Sequence, residues 1–263
     1  MPQVQLPDFT MHYVEVGTGP LPIVFVHGFI STRNWWQPTL ERLAGDRYHA
    51  YAIDLRAAGE SEQAIEGHTL AQYAQDVQAF ADALGLSRFV LVGHSMGGGV
   101  AMRYALDHPE RLAALLLVDP LAPFGMHLAP EIVAQINALQ GNPEGIRALV
   151  LGAFSTPPSG GYLELLVAEG VRWEQPIYFG TMEDMARFNV TDRLNEIATP
   201  TLVTWGDRDT VVPFAGIAEV FTRIPGCGLE IWHGVGHSGP IEIPDRFVAL
   251  LDSFIAETHI RRQ

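Results

Sequence analysis

One serine stands among glycines where an apolar run gives way to an alanine-rich run. Gly93-His94-Ser95-Met96-Gly97 has the form G-x-S-x-G, after a predicted strand and before a predicted helix. A turn this sharp exposes the serine hydroxyl at the carboxyl end of the strand. Side chains two residues before or after the serine would collide with neighbouring backbone, which explains Gly93 and Gly97. The pattern predicts that Ser95 is a nucleophile, provided that a base and an orienting acid lie elsewhere in the chain.

Histidines after the last predicted strand are the candidates for the base. His237 lies in the glycine-rich segment GVGHSGPIEIP. Loops that follow parallel strands meet at one edge of a sheet, so His237 is the expected base. His233 is the alternative, but it is nearer the strand end and is expected to pack against it. The turn should aim His94 away from the serine hydroxyl. Glycines between His233 and His237 argue against a helical pair of metal ligands, and no metal site is predicted.

Three aspartates follow predicted strands and are candidates for the acid that orients the imidazole. Asp207 and Asp209 lie in WGDRDTVVP, and Asp119 lies in LVDP. Asp209 extends further from its strand end, whereas Asp207 suits a turn or an ion pair. The order Ser95, Asp209, His237 matches the order serine, acid, histidine. Asp209 is therefore the expected acid, and Asp119 is the alternative because its strand ends at the same edge.

Backbone N–H groups are expected to bind the oxygen on which negative charge develops. Those at the start of the helix after Ser95 point toward the serine, and Met96 is expected to supply one donor. The second donor should come from the loop His27-Gly28-Phe29-Ile30, where the N–H of Phe29 is the candidate. With Ser95, Asp209 and His237, these two donors predict acyl transfer, in which the serine attacks a carbonyl and water later frees the acid.

Short apolar runs that alternate with helical patterns indicate the elements that hold these groups. Continuous apolar strands separated by helices predict a mostly parallel sheet covered on both faces. Near the N-terminus, QVQL and MHYVEVG alternate more and predict an antiparallel entry at one edge. Thr69 and Gln72 form a capping box that predicts a helix start, and Gly85 should end that helix. The buried strands are predicted in IVFV, YHAYAIDL, RFVLVG, LAALLLVD, PTLVTWG and GLEIWHG.

The segment from residue 122 to residue 198 breaks this alternation. It contains six prolines, turns such as Gly141-Asn142-Pro143, and short amphipathic stretches, but no convincing buried strand. This composition predicts a helical insertion that lies over the sheet. Some of its aromatic side chains should face Ser95, although the sequence does not show which ones.

Composition limits the partners and the compartment. The chain has 263 residues, is 48% hydrophobic and 17% charged, and carries a formal net charge of −14. That charge repels phosphate backbones and anionic lipid, so no nucleic acid or membrane partner is expected. Cys227 is the only cysteine, which excludes an intrachain disulfide. No signal peptide or membrane-spanning stretch is recognised, and a cytoplasmic location is expected.

With these motifs in order, the chain resembles the α/β-hydrolase superfamily, in particular its small capped carboxylesterase and lactonase-like members. VHGF, DLRAAGES, GHSMGG, WGDRDTVVP and GVGHSGPIEIP carry the resemblance along nearly the whole chain. It implies an eight-stranded, mostly parallel sheet, with a core of residues 1–121 and 199–263 and a helical cap of residues 122–198. It also implies that no cofactor is needed, that Ser95, His237 and Asp209 are nucleophile, base and acid, and that Phe29 and Met96 supply the oxyanion-hole amides.

One loop departs from the family pattern. Ala57-Ala58 precede Gly59 where a glycine usually follows the arginine, so a positive φ at that position would require a different arrangement of the loop.

The expected function is hydrolysis of a small, uncharged, moderately apolar carboxylic ester or lactone through an acyl-enzyme intermediate. Carbon–carbon bond hydrolysis of ring-cleavage products and perhydrolysis are alternatives, and a ligand receptor of the same fold is a third. Carbon–carbon hydrolysis needs a cation in the insertion for a substrate carboxylate, and Arg147, Arg172, Arg187 and Arg193 are the candidates. The expected partner is a small molecule, and the protein is expected to be a monomer or a homodimer.

Overall fold

The computed structural model describes residues 2–64 and 66–258. Eight strands within these residues form one mixed sheet. The order across the sheet is β1-β2-β4-β3-β5-β6-β7-β8. β1 pairs with β2 and β2 pairs with β4 in antiparallel fashion, while all the other pairs are parallel. The strands are β1 (Gln3–Gln5), β2 (Thr10–Val16), β3 (Leu21–Val26), β4 (Tyr48–Ile53), β5 (Phe89–His94), β6 (Leu112–Val118), β7 (Thr201–Gly206) and β8 (Gly228–Trp232).

The predicted fold class and the predicted strands are confirmed, including the antiparallel entry at the edge. Every residue of β5 and β6 is buried, because both faces of the sheet are covered by helices. Alternate side chains of β3 enter different cores: Val24 and Val26 pack with α2 and α3, whereas Ile23 and Phe25 pack with α1 and α10. The helices are α1 (Gln37–Leu40), α2 (Leu70–Ala83), α3 (Met96–Asp107), α4 (Pro130–Asn137), α5 (Pro143–Gly152), α6 (Gly161–Val171), α7 (Gln175–Arg187), α8 (Phe214–Arg223), α9 (Gly239–Glu242) and α10 (Pro244–Glu257), and short 3₁₀ helices span Arg33–Trp36, Pro109–Arg111 and Thr191–Glu196.

The capping signals place α2 as the sequence predicts. The hydroxyl of Thr69 accepts a hydrogen bond from the N–H of Gln72 at 3.1 Å, which satisfies one of the donors left free at a helix start. Gly85 follows the helix with a φ of +68°. The helix therefore ends where a left-handed residue is easiest to supply.

The segment between β6 and β7 contains helices α4 to α7 and no strand among its described residues. Its buried side chains, such as Ile146, Leu166 and Met182, belong to the same hydrophobic cluster as Ile30 and Met96 of the core. The insertion therefore packs directly on the loops at the carboxyl edge of the sheet. The division into a core and a cap at residues 122 and 198 stays a prediction.

No helix among the described residues is long and apolar enough to cross a membrane.

Candidate active site

The turn at Ser95 joins β5 to α3 in a strained conformation. Ser95 has a φ of +54° and a ψ of −119°. Its N–H donates to the carbonyl of Val118 at 3.0 Å, and its carbonyl accepts from Gly98 and Leu121 at 2.9 and 2.8 Å. The end of β6 and the start of α3 therefore hold the turn from both sides. As the sequence predicts, this places Ser95 at the carboxyl edge of the sheet, half-buried.

The glycines on either side of the serine are required by close backbone contacts. A Cβ at Gly93 would lie 2.2 Å from the carbonyl oxygen of Gly97, and a Cβ at Gly97 would lie 2.4 Å from that of Val26. Both distances are far shorter than any real contact. A side chain at either position would therefore collide with the backbone, as the sequence predicts, which explains why the motif has glycine at both positions.

The loop after β3 lies against the serine. A Cβ at Gly28 would be 3.1 Å from the Cβ of Ser95. The backbone of Gly28, the residue before Phe29, therefore lies beside the Ser95 side chain. Ile30 turns the chain with a φ of +55°. Within the described residues, the N–H groups of Phe29 and Met96 donate to no protein acceptor. Both predicted oxyanion donors are therefore free to bind a ligand oxygen.

His237 and Asp209 form a buried hydrogen bond. Nδ1–H of His237 donates to Oδ2 of Asp209 at 2.7 Å, and the two side chains are 5% and 0% exposed. Oδ1 of Asp209 accepts from the N–H groups of Val211 and Val212 at 2.6 and 3.0 Å. Burial opposes ionisation of Asp209, but His237 and these two N–H groups outweigh it and hold the pKa of the carboxyl below its usual value. Asp209 is thus an anion that orients the imidazole and fixes its tautomer.

His94 links the serine turn to the loop that carries His237. Its Nε2–H donates to the carbonyl of His237 at 2.8 Å, and the two rings lie 4.7 Å apart. Burial, and then the neighbouring His237, lower the pKa of His94 to about 3, so the ring is neutral. The residue before Ser95 therefore contacts the loop that carries His237. In the described residues the Ser95 hydroxyl has no hydrogen-bond partner.

The other acid and base candidates have different positions. His233 is 87% exposed and pairs with Asp207 at 3.0 Å, so the expectation that it packs against its strand is wrong. The turn and ion-pair role expected of Asp207 is observed, because it also accepts from the N–H of Gly234 at 2.7 Å. Asp119 is fully buried beside the Asp209–His237 pair.

Among the described residues, one group brings three metal-ligating side chains together. The ligand atoms of Asp119, Asp209 and His237 all lie within 4.8 Å of one another. Carboxylates and an imidazole can bind zinc. Here, however, Nδ1 of His237 carries a proton that it donates to Asp209. The arrangement therefore fits a hydrogen-bonded cluster better than a cation site.

Aromatic side chains from the insertion cover the loop after β3. The ring of Phe29 lies 5.4 Å from the rings of Trp173 and Tyr178, and the ring of Trp35 lies between those of His94 and Phe154 at 5.4 and 5.6 Å. The buried Trp35 Nε1 and the Tyr178 hydroxyl have no hydrogen-bond partner among the described residues. The sequence offers Trp35 and the aromatic residues of the insertion as candidates but does not choose among them, since spacing along the chain cannot show which rings face the edge of the sheet.

Polar contacts tie the insertion to the same loop. Glu169 accepts hydrogen bonds from the hydroxyl of Thr32 at 2.6 Å and from Nδ2 of Asn34 at 2.5 Å. Trp173 donates to the carbonyl of Ser31 at 3.2 Å. Burial raises the pKa of the Glu169 carboxyl. No motif signals these contacts, because a glutamate on an amphipathic helix is usually on its solvated face.

Comparison with known proteins agrees with the fold. Residues 22–176 match the family model described as alpha/beta hydrolase fold. The chain is 31% identical over 284 residues to a non-heme haloperoxidase of Rhodococcus erythropolis, covering 97% of this chain and 99% of that protein. It is 30% identical over 266 residues to the dihydrolipoyllysine-residue acetyltransferase component of an acetoin cleaving system from Cupriavidus necator, covering 92% of this chain but 65% of that protein.

Solved structures show the same fold. A structure described as Est816, an N-acyl homoserine lactone degrading enzyme, superposes with a TM-score of 0.79 and 30% identity, over 96% of this chain and all of that one. A thermophilic esterase from Thermogutta terrifontis superposes with a TM-score of 0.80 and 25% identity, over 98% of this chain and all of that one. These similarities extend along nearly the full length of the described chain.

Proposed function

This chain belongs to the α/β-hydrolase family and is a hydrolase, and we propose that it is a serine hydrolase of small, uncharged, moderately apolar carboxylic esters or lactones. The observation that carries this proposal is the buried Asp209–His237 hydrogen bond at the same edge of the sheet as the strained Ser95 turn. A nucleophile, a base and an acid in one place are what acyl transfer requires.

The proposed mechanism follows from the hydrogen bonds. Because Nδ1–H of His237 donates to Asp209, Nε2 is the nitrogen that accepts the proton of Ser95 as the serine attacks the carbonyl. The oxyanion that forms is bound by the N–H groups of Phe29 and Met96, each of which is worth on the order of 3 kcal/mol in comparable sites. His237 then protonates the leaving alcohol, and water repeats the sequence to release the acid.

The charges in the insertion favour a neutral substrate. Each of the four arginines that could bind a substrate carboxylate forms an ion pair on an exposed surface: Arg147 with Glu164, Arg172 with Glu60, Arg187 with Glu183, and Arg193 with Glu196. An acidic ring-cleavage product would have to compete with these pairs. Aromatic rings such as Phe29, Trp35 and Tyr178 instead make the surroundings of the loop after β3 and of His94 apolar. We therefore favour esters and lactones over carbon–carbon bond hydrolysis.

Perhydrolysis is the second candidate function. It uses the same acyl-enzyme, with hydrogen peroxide in place of water as the attacking molecule. The similarity to the haloperoxidase of Rhodococcus erythropolis is the observation that favours it. Comparing turnover of one ester with and without added peroxide, and measuring the peracid formed, separates the two activities.

Replacing the nucleophile tests the proposal directly. Ser95→Ala should abolish hydrolysis of p-nitrophenyl acetate and p-nitrophenyl butyrate, a loss of about 10⁴-fold or more, because the attacking hydroxyl is gone. Ser87→Ala, at an exposed serine before β5, is the matched control and should keep full activity. A lactone and a dienone acid assayed beside these esters define the substrate class. Full turnover by a folded Ser95→Ala protein would overturn the proposal.

A further inference from the structure

Asp119 is a buried carboxyl that the proposed mechanism does not use. It follows β6, is 0% exposed and has a φ of +42°. Its N–H donates to the carbonyl of Thr204 at 3.1 Å, and its Oδ1 accepts from the N–H of Gly206 at 2.9 Å. Oδ2 is buried, and among the described residues no donor reaches it. The carboxyl is therefore firmly placed by one oxygen, while the other oxygen lacks a partner.

The carboxyl of Asp119 lies beside the acid of the proposed triad. The nearest side-chain ligand atoms of Asp119, Asp209 and His237 lie within 4.8 Å of one another, and after burial the charge of Asp209 is the largest cause that raises the pKa of Asp119. Glu242 is a second acid among the described residues whose charge raises the pKa of Asp119. Asp119 thus faces two acids and an imidazole that already donates to Asp209.

Hydrogen bonding decides which carboxyl keeps a proton. Two carboxylates this close and this buried cannot both be ionised without a large cost. Asp209 accepts three hydrogen bonds, from His237, Val211 and Val212, whereas Asp119 accepts one, from Gly206. Burial, and then the charge of Asp209, raise the pKa of Asp119 well above its usual value. The proton therefore belongs on Asp119.

We propose that Asp119 stays protonated at neutral pH and donates a hydrogen bond from Oδ2 to Asp209, as a positioning residue for the acid of the triad. This role rests on the proposed function of Ser95, Asp209 and His237. A neutral donor fixes the rotamer of Asp209 without placing a second negative charge near His237.

The first experiment detects the proton itself and does not depend on activity. Glu169→Gln serves as the background, since burial raises the pKa of that carboxyl too. Infrared spectra at pH 7, with deuterium exchange to identify the band, should show a protonated-carboxyl C=O stretch in Glu169→Gln. The band should disappear in the double variant Glu169→Gln/Asp119→Asn. An unchanged pair of spectra would show that Asp119 is ionised and overturn the proposal.

The second experiment measures the positioning role through kcat/KM against pH. Asp119→Asn keeps an N–H donor toward Asp209, so kcat/KM should stay within about 3-fold of wild type. The pH at which kcat/KM falls to half on the acidic side of its profile should stay within about 0.3 pH unit of wild type. Asp119→Leu removes the donor and should lower kcat about 10-fold or more with little change in KM. A downward shift of about one unit or more in Asp119→Asn would mean that a charge had been removed. That shift, or full kcat in Asp119→Leu, would contradict the proposal.

These experiments separate the two proposals from each other. If Asp119→Leu does not fold, the infrared pair and the Asp119→Asn profile still decide the question. If Ser95→Ala retains full turnover, the proposed function fails while the infrared result on Asp119 stands.

Discussion

Backbone strain is concentrated at the edge of the sheet that carries the candidate site. Among the described residues, four other than glycine have a positive φ, and each lies in a loop after one of the strands β3, β4, β5 and β6. They are Ile30 (+55°), Ala57 (+59°), Ser95 (+54°) and Asp119 (+42°). Each such residue costs on the order of 1–3 kcal/mol, a cost that the surrounding fold has to offset. Ser95 is the proposed nucleophile, Asp119 is the proposed positioning residue, and Ile30 turns the loop that contains Phe29.

Ala57 gives a prediction at the scale of one residue. The sequence suggests that the loop would be rearranged if a positive φ were needed there, but the structure shows that the alanine itself adopts it. Ala57→Gly should therefore raise the free energy of unfolding relative to Ala58→Gly by about 1 kcal/mol or more, because glycine relieves strain only at position 57. Both alanines are buried, so Ala58→Gly is a matched control for the lost methyl group. Urea unfolding of the two variants measures the difference, and equal stabilities would contradict the prediction.

At the scale of elements, the strands could be predicted and the contacts of the insertion could not. β5 and β6 are continuous apolar runs because both faces are buried, and that pattern is visible in the sequence. Ser95, Asp209 and His237 could be chosen from the sequence as candidate nucleophile, acid and base, because each follows a strand at the same edge of the sheet. The proposed protonation of Asp119 and the position of Trp173 depend on distances between segments far apart in the chain, which local patterns do not contain.

The contact between α6 and the loop after β3 gives a prediction at this scale. Glu169 is 8% exposed and accepts from both Thr32 and Asn34. Glu169→Ala leaves two donors without an acceptor, so it should lower the free energy of unfolding by about 1–3 kcal/mol. Chemical denaturation measures this loss.

Glu164→Ala is the matched control for that measurement. Glu164 lies on the same helix, is 59% exposed and pairs with Arg147. Exposed pairs of this kind contribute about 0–1 kcal/mol, so this variant should stay near wild type. If both glutamates gave the same loss, the buried contact of Glu169 would not stabilise the insertion.

At the scale of the whole molecule, buried neutral histidines should make stability depend on pH. Burial is the first cause that lowers the pKa of His27, His68 and His94, which all stay uncharged in the folded protein. In the unfolded chain they titrate near the usual value of about 6.5. Below that pH the unfolded state binds more protons than the folded state, so stability is lost as the pH falls from about 6.5 toward the folded pKa values.

His94 allows this loss to be measured, because its folded pKa is lowered to about 3. Between pH 7 and pH 5 the unfolded imidazole gains most of its proton while the folded one does not, which corresponds to about 2 kcal/mol of stability lost in that interval. His94→Gln removes this titration, so its free energy of unfolding should fall by about 2 kcal/mol less than that of wild type over the same range. His233→Gln, at a histidine that is 87% exposed, should follow the wild-type slope. Equal slopes for wild type and His94→Gln would mean that His94 takes up its proton in the folded protein over the same pH range as in the unfolded chain, which would contradict the prediction.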